Sequence, residues 1–112
     1  MAEQRPKVEL EEGKVYTLIL QEGILTAQKS LQRGMYTGYG RDGIMAGVHY
    51  FVVGISDRES DPVKTLVVND LKLTRVDDKT LSSDAFLEVN LSEVSQLNRK
   101  ALSLLMKKAG LI

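Results

Sequence analysis

The sequence contains no cysteine and only one histidine among its 112 residues. The lack of cysteine excludes disulfide bonds, thiolate metal ligands and cysteine nucleophiles. A single histidine excludes a metal site built from several histidines of one chain. We therefore predict a protein without a metal site or a cofactor.

An excess of charge and a long hydrophobic run are also lacking. The 15 Lys and Arg residues balance 15 Asp and Glu residues, so net charge does not indicate a nucleic-acid or membrane partner. The longest apolar stretch, residues 44–55, is interrupted and is far shorter than the roughly 20 residues of a membrane helix. Residues 1–13 contain no signal-peptide core. We predict a soluble, cytoplasmic protein that does not insert into a membrane.

The remaining composition is typical of one small globular domain, with 43% hydrophobic and 27% charged residues. The first dozen residues are rich in glutamate and poor in apolar side chains. We therefore predict a flexible N-terminal arm over residues 1–13 and a single domain over residues 14–112.

Most of this domain has the composition of β-strands and turns. Strands are predicted at 14–20, 35–39, 48–55, 63–68, 71–76 and 85–89. Residues 24–30 fit a hairpin partner of the first strand, but a short helix over 25–33 fits the composition as well. Asn69-Asp70 is either a two-residue turn or an interruption in one long strand.

The C-terminal region changes to helical spacing, which predicts a helix over residues 91–109. Asn90 is the expected N-cap, with Glu93 three residues later. Gly110 is the expected C-cap. Apolar residues recur along the segment at Val94, Leu97, Ala101, Leu104 and Leu105, and Lys107 and Lys108 fall in the last turn.

These elements predict an α+β, mainly β fold: a small, strongly bent β-barrel of about five strands with a C-terminal amphipathic helix. Residues 14–28 (KVYTLILQEGILTAQ) are similar to the opening hairpin of Sm-like and SH3-like small β-barrels, and residues 68–76 (VNDLKLTRV) resemble their closing strand pair. The Sm-like resemblance implies ring-shaped oligomers and RNA binding. The sequence lacks the Asp-x-x-x-Asn loop of that family and places its helix at the opposite end, so no binding residue is carried over.

Two short motifs do not have the context that their chemistry needs. Residues 38–43 match GxGxxG, but the segment that follows predicts a loop and a strand where a dinucleotide site requires a helix. The acidic residues of 57–61 resemble the start of a calcium loop. Pro62 and Val68 replace the glycine and the glutamate that such a loop requires.

His49 is the one residue in the sequence that suggests catalysis. It lies in an apolar strand with no recognisable partner, a setting more typical of a structural histidine than of a general base. We therefore expect a non-enzymatic protein. The alternative, a small enzyme or ligand-binding protein using His49, requires a pocket that encloses this histidine beside a carboxylate.

Basic residues and aromatic residues occur together in the middle of the chain. Residues 14–54 contain four basic and two acidic residues, together with five of the six aromatic residues. Cations that meet phosphates and rings that stack on bases are the components of single-stranded nucleic-acid sites. The candidate residues for binding RNA or single-stranded DNA are Lys29, Arg33, Tyr36, Tyr39 and Arg41.

The terminal helix suggests a second kind of interaction. Its apolar residues cover more than a narrow stripe, so it needs either two partners or a position deep in one core. Leu102, Leu105 and Met106 are the candidate contacts of a homo-oligomer. The sequence thus predicts a binding or assembly module for nucleic acid, or alternatively a protein-interaction subunit that uses this helix.

Overall fold

The computed structural model describes residues 5–22, 28–40, 43, 46–55, 62–91 and 96–111. They contain seven strands, a short 3-10 helix and one α-helix. The strands are β1 (Val15–Glu22), β2 (Gln28–Tyr39), β3 (Val48–Gly54), β4 (Val63–Asn69), β5 (Thr74–Asp77), β6 (Thr80–Ser83) and β7 (Leu87–Leu91). The 3-10 helix (Asp70–Lys72) separates β4 from β5, and helix α1 spans Gln96–Lys108.

All seven strands belong to one sheet with the order β5-β6-β1-β2-β3-β4-β7. Neighbouring strands are antiparallel except for β1 and β6, which are parallel. The predicted small, mainly β α+β fold is confirmed, but the predicted closure into a five-stranded barrel is not found. Strands β5 and β7 are the two edges of the sheet and do not pair with each other, so the sheet does not enclose a core by itself. Other segments of the chain cover the two faces of the sheet.

The long β1–β2 pairing decides between the two alternatives for the segment after the first strand. Val15 pairs with Met35 and Glu22 pairs with Gln28, in an unbroken antiparallel register. Residues 28–33 are therefore strand, as the hairpin alternative predicts, and the helix alternative is wrong for them. Residues 23–27 lie outside the described residues.

Successive strand residues point to opposite faces of the sheet, so the sheet buries side chains on both faces. The N-terminal region covers one face and the C-terminal helix covers the other. We call one face the strap face; its buried residues are Tyr16, Leu18, Tyr36, Phe51, Leu66 and Val68, and Val8 from the N-terminal region packs among them. We call the other the helix face; its buried residues are Met35, Val52 and Val63, and they pack against Met106 of α1.

Helix α1 is shorter than predicted at its beginning and ends as predicted. Asn90 is not an N-cap, because it lies in β7 and pairs with Lys64 of β4. At the other end, Gly110 has φ +77° and donates its N–H to the carbonyl of Lys107. The N–H of Leu111 reaches the carbonyl of Met106, which completes a Schellman C-cap. No helix in the described part of the chain is long and apolar enough to cross a membrane.

Two further differences concern short polar segments. The sequence does not predict strand β6 (TLSS), because it has one large apolar side chain; β6 pairs with its chain neighbour β5 and with the distant β1. Leu71 is part of the 3-10 helix and not of a strand. The side chain of Asn69 accepts a hydrogen bond from the N–H of Leu71 at 2.9 Å and caps this helix. Neither alternative for Asn69-Asp70 describes the connection, because Asn69 ends β4, Asp70 begins the 3-10 helix, and β4 and β5 are not neighbours in the sheet.

Candidate functional site

Residues 5–12, which we call the strap, lie along the strap face and are fixed there by Asp70. The N–H of Val8 donates to Asp70 Oδ1 at 3.0 Å, and the N–H of Lys7 donates to Asp70 Oδ2. Val8 is itself buried in the core. The sequence predicts a flexible arm here, but its residues 5–12 make long-range contacts through backbone groups, which side-chain composition does not report.

Further hydrogen bonds extend the attachment of the strap along its length. The N–H of Glu11 donates to the hydroxyl of Tyr16 at 3.0 Å, and the guanidinium of Arg75 donates to the carbonyl of Glu9. Immediately after the strap, the N–H of Gly13 donates to the carbonyl of Tyr36 at 2.8 Å. The strap is therefore held at its middle and at its C-terminal end.

Asp70 can hold the strap because the chain turns sharply at this residue. It follows β4 and begins the 3-10 helix, and its own N–H donates to the carbonyl of Gly47 at 2.8 Å. The residue is only 5% exposed. A buried carboxylate needs hydrogen-bond donors to offset its lost hydration, and the strap supplies two of them.

The third donor to Asp70 is the single histidine. His49 Nε2 lies 2.8 Å from Asp70 Oδ1, and His49 Nδ1 lies 2.8 Å from the hydroxyl of Tyr36. An ionised carboxylate only accepts hydrogen bonds, so Nε2 carries the proton and donates it to Asp70. In a neutral imidazole Nδ1 is then an acceptor, and the Tyr36 hydroxyl donates to it. We call this arrangement the Tyr36–His49–Asp70 chain.

The surroundings of this chain keep its members in those protonation states. Burial lowers the pKa of His49 even though Asp70 opposes the shift, so the imidazole stays neutral. Burial raises the pKa of Asp70, but hydrogen bonds from His49 and the two strap N–H groups outweigh it, and the pKa is lowered. Burial and the nearby carboxylate of Glu12 raise the pKa of Tyr36, so its hydroxyl stays protonated.

A pocket of about 360 Å³ lies between the strap and the sheet, beside this chain. The strap supplies most of its lining and β2 supplies two tyrosines. The lining residues are Arg5, Pro6, Glu9, Leu10, Glu12, Tyr36 and Tyr39. Tyr36 therefore connects the pocket to the buried histidine and aspartate.

Tyr39 lines the pocket and packs against His49. Its ring centroid lies 4.8 Å from that of His49, at an interplanar angle of 44°. A register shift between Tyr36 and Gly38 places both tyrosines on the strap face. His49 is 0% exposed and both ring nitrogens have partners, so it supports the pocket wall without contacting the pocket itself.

The structure separates the residues that the sequence suggests for nucleic-acid binding. Tyr36 and Tyr39 lie on the strap face, and Tyr36 is buried. Gly34 also faces that side, towards Leu18 and Phe51, so the adjacent Arg33 is exposed on the opposite face. Lys29 lies in β2 at the position paired with Gln21, and Arg41 lies outside the described residues.

The three residues suggested for an oligomer contact also differ in their surroundings. Met106 is 0% exposed and packs against the sheet of its own chain. Leu102 is half-buried, whereas Leu105 is 45% exposed. A contact through these residues stays a prediction, and within it Leu105 is the residue that a partner can reach.

Sequence reasoning missed Asp70 and the strap as parts of a site. Asp70 is 21 residues from His49 and more than 60 from the strap amides, so no local spacing connects them. Among the described residues, no group of three His, Cys, Asp or Glu side chains is arranged to hold a metal ion.

Comparison with known proteins gives no further information about this site. No protein-family model, curated protein or solved structure matches the chain.

Proposed function

We propose that this chain is a non-enzymatic binding module whose ligand occupies the pocket between the strap and the sheet. The observation that carries the proposal is the Tyr36–His49–Asp70 chain. It connects Tyr36, which lines the sheet side of the pocket, to Asp70, which holds the strap on the other side. Pockets with convergent polar groups and groups of perturbed pKa are the usual position of ligand sites.

The cost of this polar chain supports a role beyond folding. Burying a histidine and a carboxylate requires that each polar atom finds a partner, and an apolar core of the same volume is often at least as stable. The polar chain fixes the position of the strap and orients Tyr36 in a way that apolar packing does not. This is the behaviour expected of residues that preorganise a binding site.

The state of the hydroxyl and the imidazole favours binding over catalysis. A general base must be within hydrogen-bond reach of a substrate proton, and His49 is enclosed with both nitrogens engaged. The raised pKa of Tyr36 makes its phenolate inaccessible near neutral pH, which argues against a tyrosine nucleophile.

Three small probes test whether the pocket binds a ligand. Benzylammonium, benzyl alcohol and benzoate share a phenyl ring and differ in charge. In two-dimensional 1H–15N NMR titrations at millimolar concentration, we expect at least one to shift the amide signals of Leu10 and Tyr39. Tyr39→Leu should abolish the shifts. Tyr50→Leu is the matched control, because Tyr50 is a half-buried tyrosine on the helix face.

The result that would overturn the proposal is equally direct. If none of the three probes perturbs the strap amides, or if Tyr50→Leu weakens binding as much as Tyr39→Leu, the pocket is not a binding site for small molecules.

A second candidate function is the binding of RNA or single-stranded DNA by the opposite face of the β1–β2 hairpin. The observation that favours it is the composition of β2 on that side: Arg33 is exposed, and Lys29 lies four residues earlier in the same strand. The positions of β1 paired with them, Thr17 and Gln21, are not acidic. Exposed Leu31, 69% accessible, occupies the strand position between residues 29 and 33 on that face. Phosphate contacts would carry such binding.

Fluorescence anisotropy with a labelled ten-nucleotide uridine RNA across a salt series tests this candidate. We expect Arg33→Ala to weaken binding and to reduce the salt slope by about one unit. Lys72→Ala, which removes another exposed cation, should leave both unchanged. An absence of binding at low salt would exclude this function, and homo-oligomer formation would then be tested by sedimentation of the Leu105→Glu variant.

A further inference from the structure

The charges around the pocket are unequal. Two carboxylates, Glu9 and Glu12, and one guanidinium, Arg5, line it, and all three residues are exposed. No ion pair joins any of them to another residue in the described part of the chain. The carboxylate of Glu12 lies against Gly38 of β2, 3.7 Å from where a β-carbon would stand. An excess of negative charge therefore faces the pocket from the strap.

The hydroxyl of Tyr36 adds a directional preference. A hydroxyl has one proton and two acceptor lone pairs, and the proton of Tyr36 is donated to His49. Any further hydrogen bond that Tyr36 makes must therefore be one that it accepts. Tyr36 in this way favours a ligand that donates a hydrogen bond to it.

The aromatic rings of the pocket point to the same ligand chemistry. Tyr39 and Tyr36 are both in the lining, and the faces of tyrosine rings attract cations within about 6 Å of the ring centre. An anion would meet repulsion from Glu9 and Glu12, and Arg5 is the only cation in the lining. The guanidinium of Arg75 donates to the carbonyl of Glu9 and lies outside the lining. Rings, carboxylates and an accepting hydroxyl together match a positively charged group that carries N–H donors.

We propose that the pocket binds a small organic ammonium ion, held by Glu12, by the acceptor lone pairs of Tyr36 and by the ring of Tyr39. A volume of about 360 Å³ suits a molecule of this size, at the lower end of ligand pockets in proteins. This inference rests on the proposed function, because it specifies which ligand the same pocket takes.

The three probes distinguish the charge preference. We expect the Kd of benzylammonium to be about tenfold lower than that of benzyl alcohol, the combined effect of a carboxylate contact and a cation–π contact. Benzoate should bind more weakly than either. Because the attraction is electrostatic and partly exposed, the advantage of benzylammonium should shrink as salt is raised.

Variants of the strap test which groups provide that preference. Glu12→Gln should raise the Kd of benzylammonium about two- to fivefold, and Arg5→Gln should lower it by a similar factor because a like charge is removed. Neither variant should change the Kd of benzyl alcohol by as much. Glu11→Gln is the matched control: Glu11 is an exposed carboxylate of the same strap that does not line the pocket.

The outcomes separate this inference from the proposed function. If benzyl alcohol or benzoate binds as tightly as benzylammonium, or if Glu11→Gln and Glu12→Gln have the same effect, the pocket binds ligands without selecting ammonium ions and this inference is wrong. If no probe binds, the proposed function itself fails.

Discussion

The two faces of the sheet are covered by opposite ends of the chain and in different ways. On the helix face, Met106 of α1 packs on three apolar side chains, and the contact depends on shape and volume. On the strap face, Val8 adds some apolar packing, but the strap is fixed mainly by hydrogen bonds to one buried carboxylate. The helix-face contact should tolerate other apolar side chains of similar volume, whereas the strap-face contact depends on the ionisation of Asp70 and the tautomer of His49.

Removal of the carboxylate should produce the largest loss of stability. Asp70→Ala leaves the Nε2–H of His49 and two strap N–H groups without acceptors, which we expect to lower the free energy of unfolding by about 4 kcal/mol. Urea denaturation measures the change. Hydrogen exchange of the Lys7 and Val8 amides should accelerate selectively. Asp70→Asn, which keeps one acceptor oxygen, should lose less, and equal losses for both variants would contradict this account.

Truncation on the helix face is expected to be somewhat less damaging. Met106→Ala removes a fully buried side chain and should cost about 3 kcal/mol, through lost burial and the cavity that remains. Met106→Leu conserves volume and should cost less than about 1.5 kcal/mol. The strap amides should exchange at the wild-type rate in both variants. Faster exchange there would show that the two faces are coupled.

A smaller effect is expected from the other end of the buried polar chain. Tyr36→Phe removes only the hydroxyl and leaves His49 Nδ1 without its donor, which should lower stability by about 1 to 2 kcal/mol. Leu18 packs in the same core without a polar atom, and Leu18→Met, which conserves volume, serves as the control for altered packing. A loss for Tyr36→Phe no larger than that of the control would mean that the hydroxyl contributes nothing to the chain.

The smallest effect should come from protonation. Because the pKa of His49 is lowered in the folded protein, the unfolded chain takes up a proton first as the pH falls below the ordinary histidine value of 6.5. The contribution of His49 to the free energy of unfolding is therefore fully present above that pH and is lost as the pH falls below it. By about pH 6 the loss from this one group should not exceed about 1 kcal/mol. The lowered pKa of Asp70 adds a second loss only below its ordinary value of 3.8.

Urea titrations between neutral and mildly acidic pH measure this dependence. His49→Gln should be less stable than the wild type near neutral pH and should lose less stability as the pH falls from neutral. An identical pH dependence in wild type and variant would show that His49 does not titrate differently in the folded and unfolded states.

The sequence predicts the existence of the covering helix but not the strap, for a physical reason. Apolar residues spaced at helical intervals around Leu97 and Ala101 predict a helix, and α1 forms there. The side that α1 buries differs from that spacing, because Ala101, Leu104 and Leu105 are exposed and Met106 packs on the sheet. The strap binds through the N–H groups of Lys7 and Val8, and every residue except proline carries such a group. No side-chain pattern can mark residues that act through their backbone.

The candidate site was accessible to sequence reasoning only in its parts. Tyr36, Tyr39 and His49 could be selected as unusual residues of the glycine-rich region. Regular alternation would put Tyr39 on the same face as Arg33, opposite Tyr36. The register shift after Tyr36 moves Tyr39 to the strap face, and the sequence does not predict this shift. The number of strands is also hard to predict from the sequence, because β6 (TLSS) has little apolar pattern. The prediction of a closed barrel therefore rests on an incomplete set of strands.

The parallel pairing of β1 with β6 has a consequence for how the chain folds during synthesis. Thr17 pairs with Thr80, so one edge of β1 stays open until residues more than 60 positions later have left the ribosome. At typical rates of translation that interval is on the order of several seconds. Strand β1 (VYTLILQE) is rich in β-branched and apolar residues, a composition prone to aggregation while its edge is unpaired. We expect the yield of folded protein to depend on how quickly β5 and β6 arrive, and a chain truncated before Thr80 to aggregate.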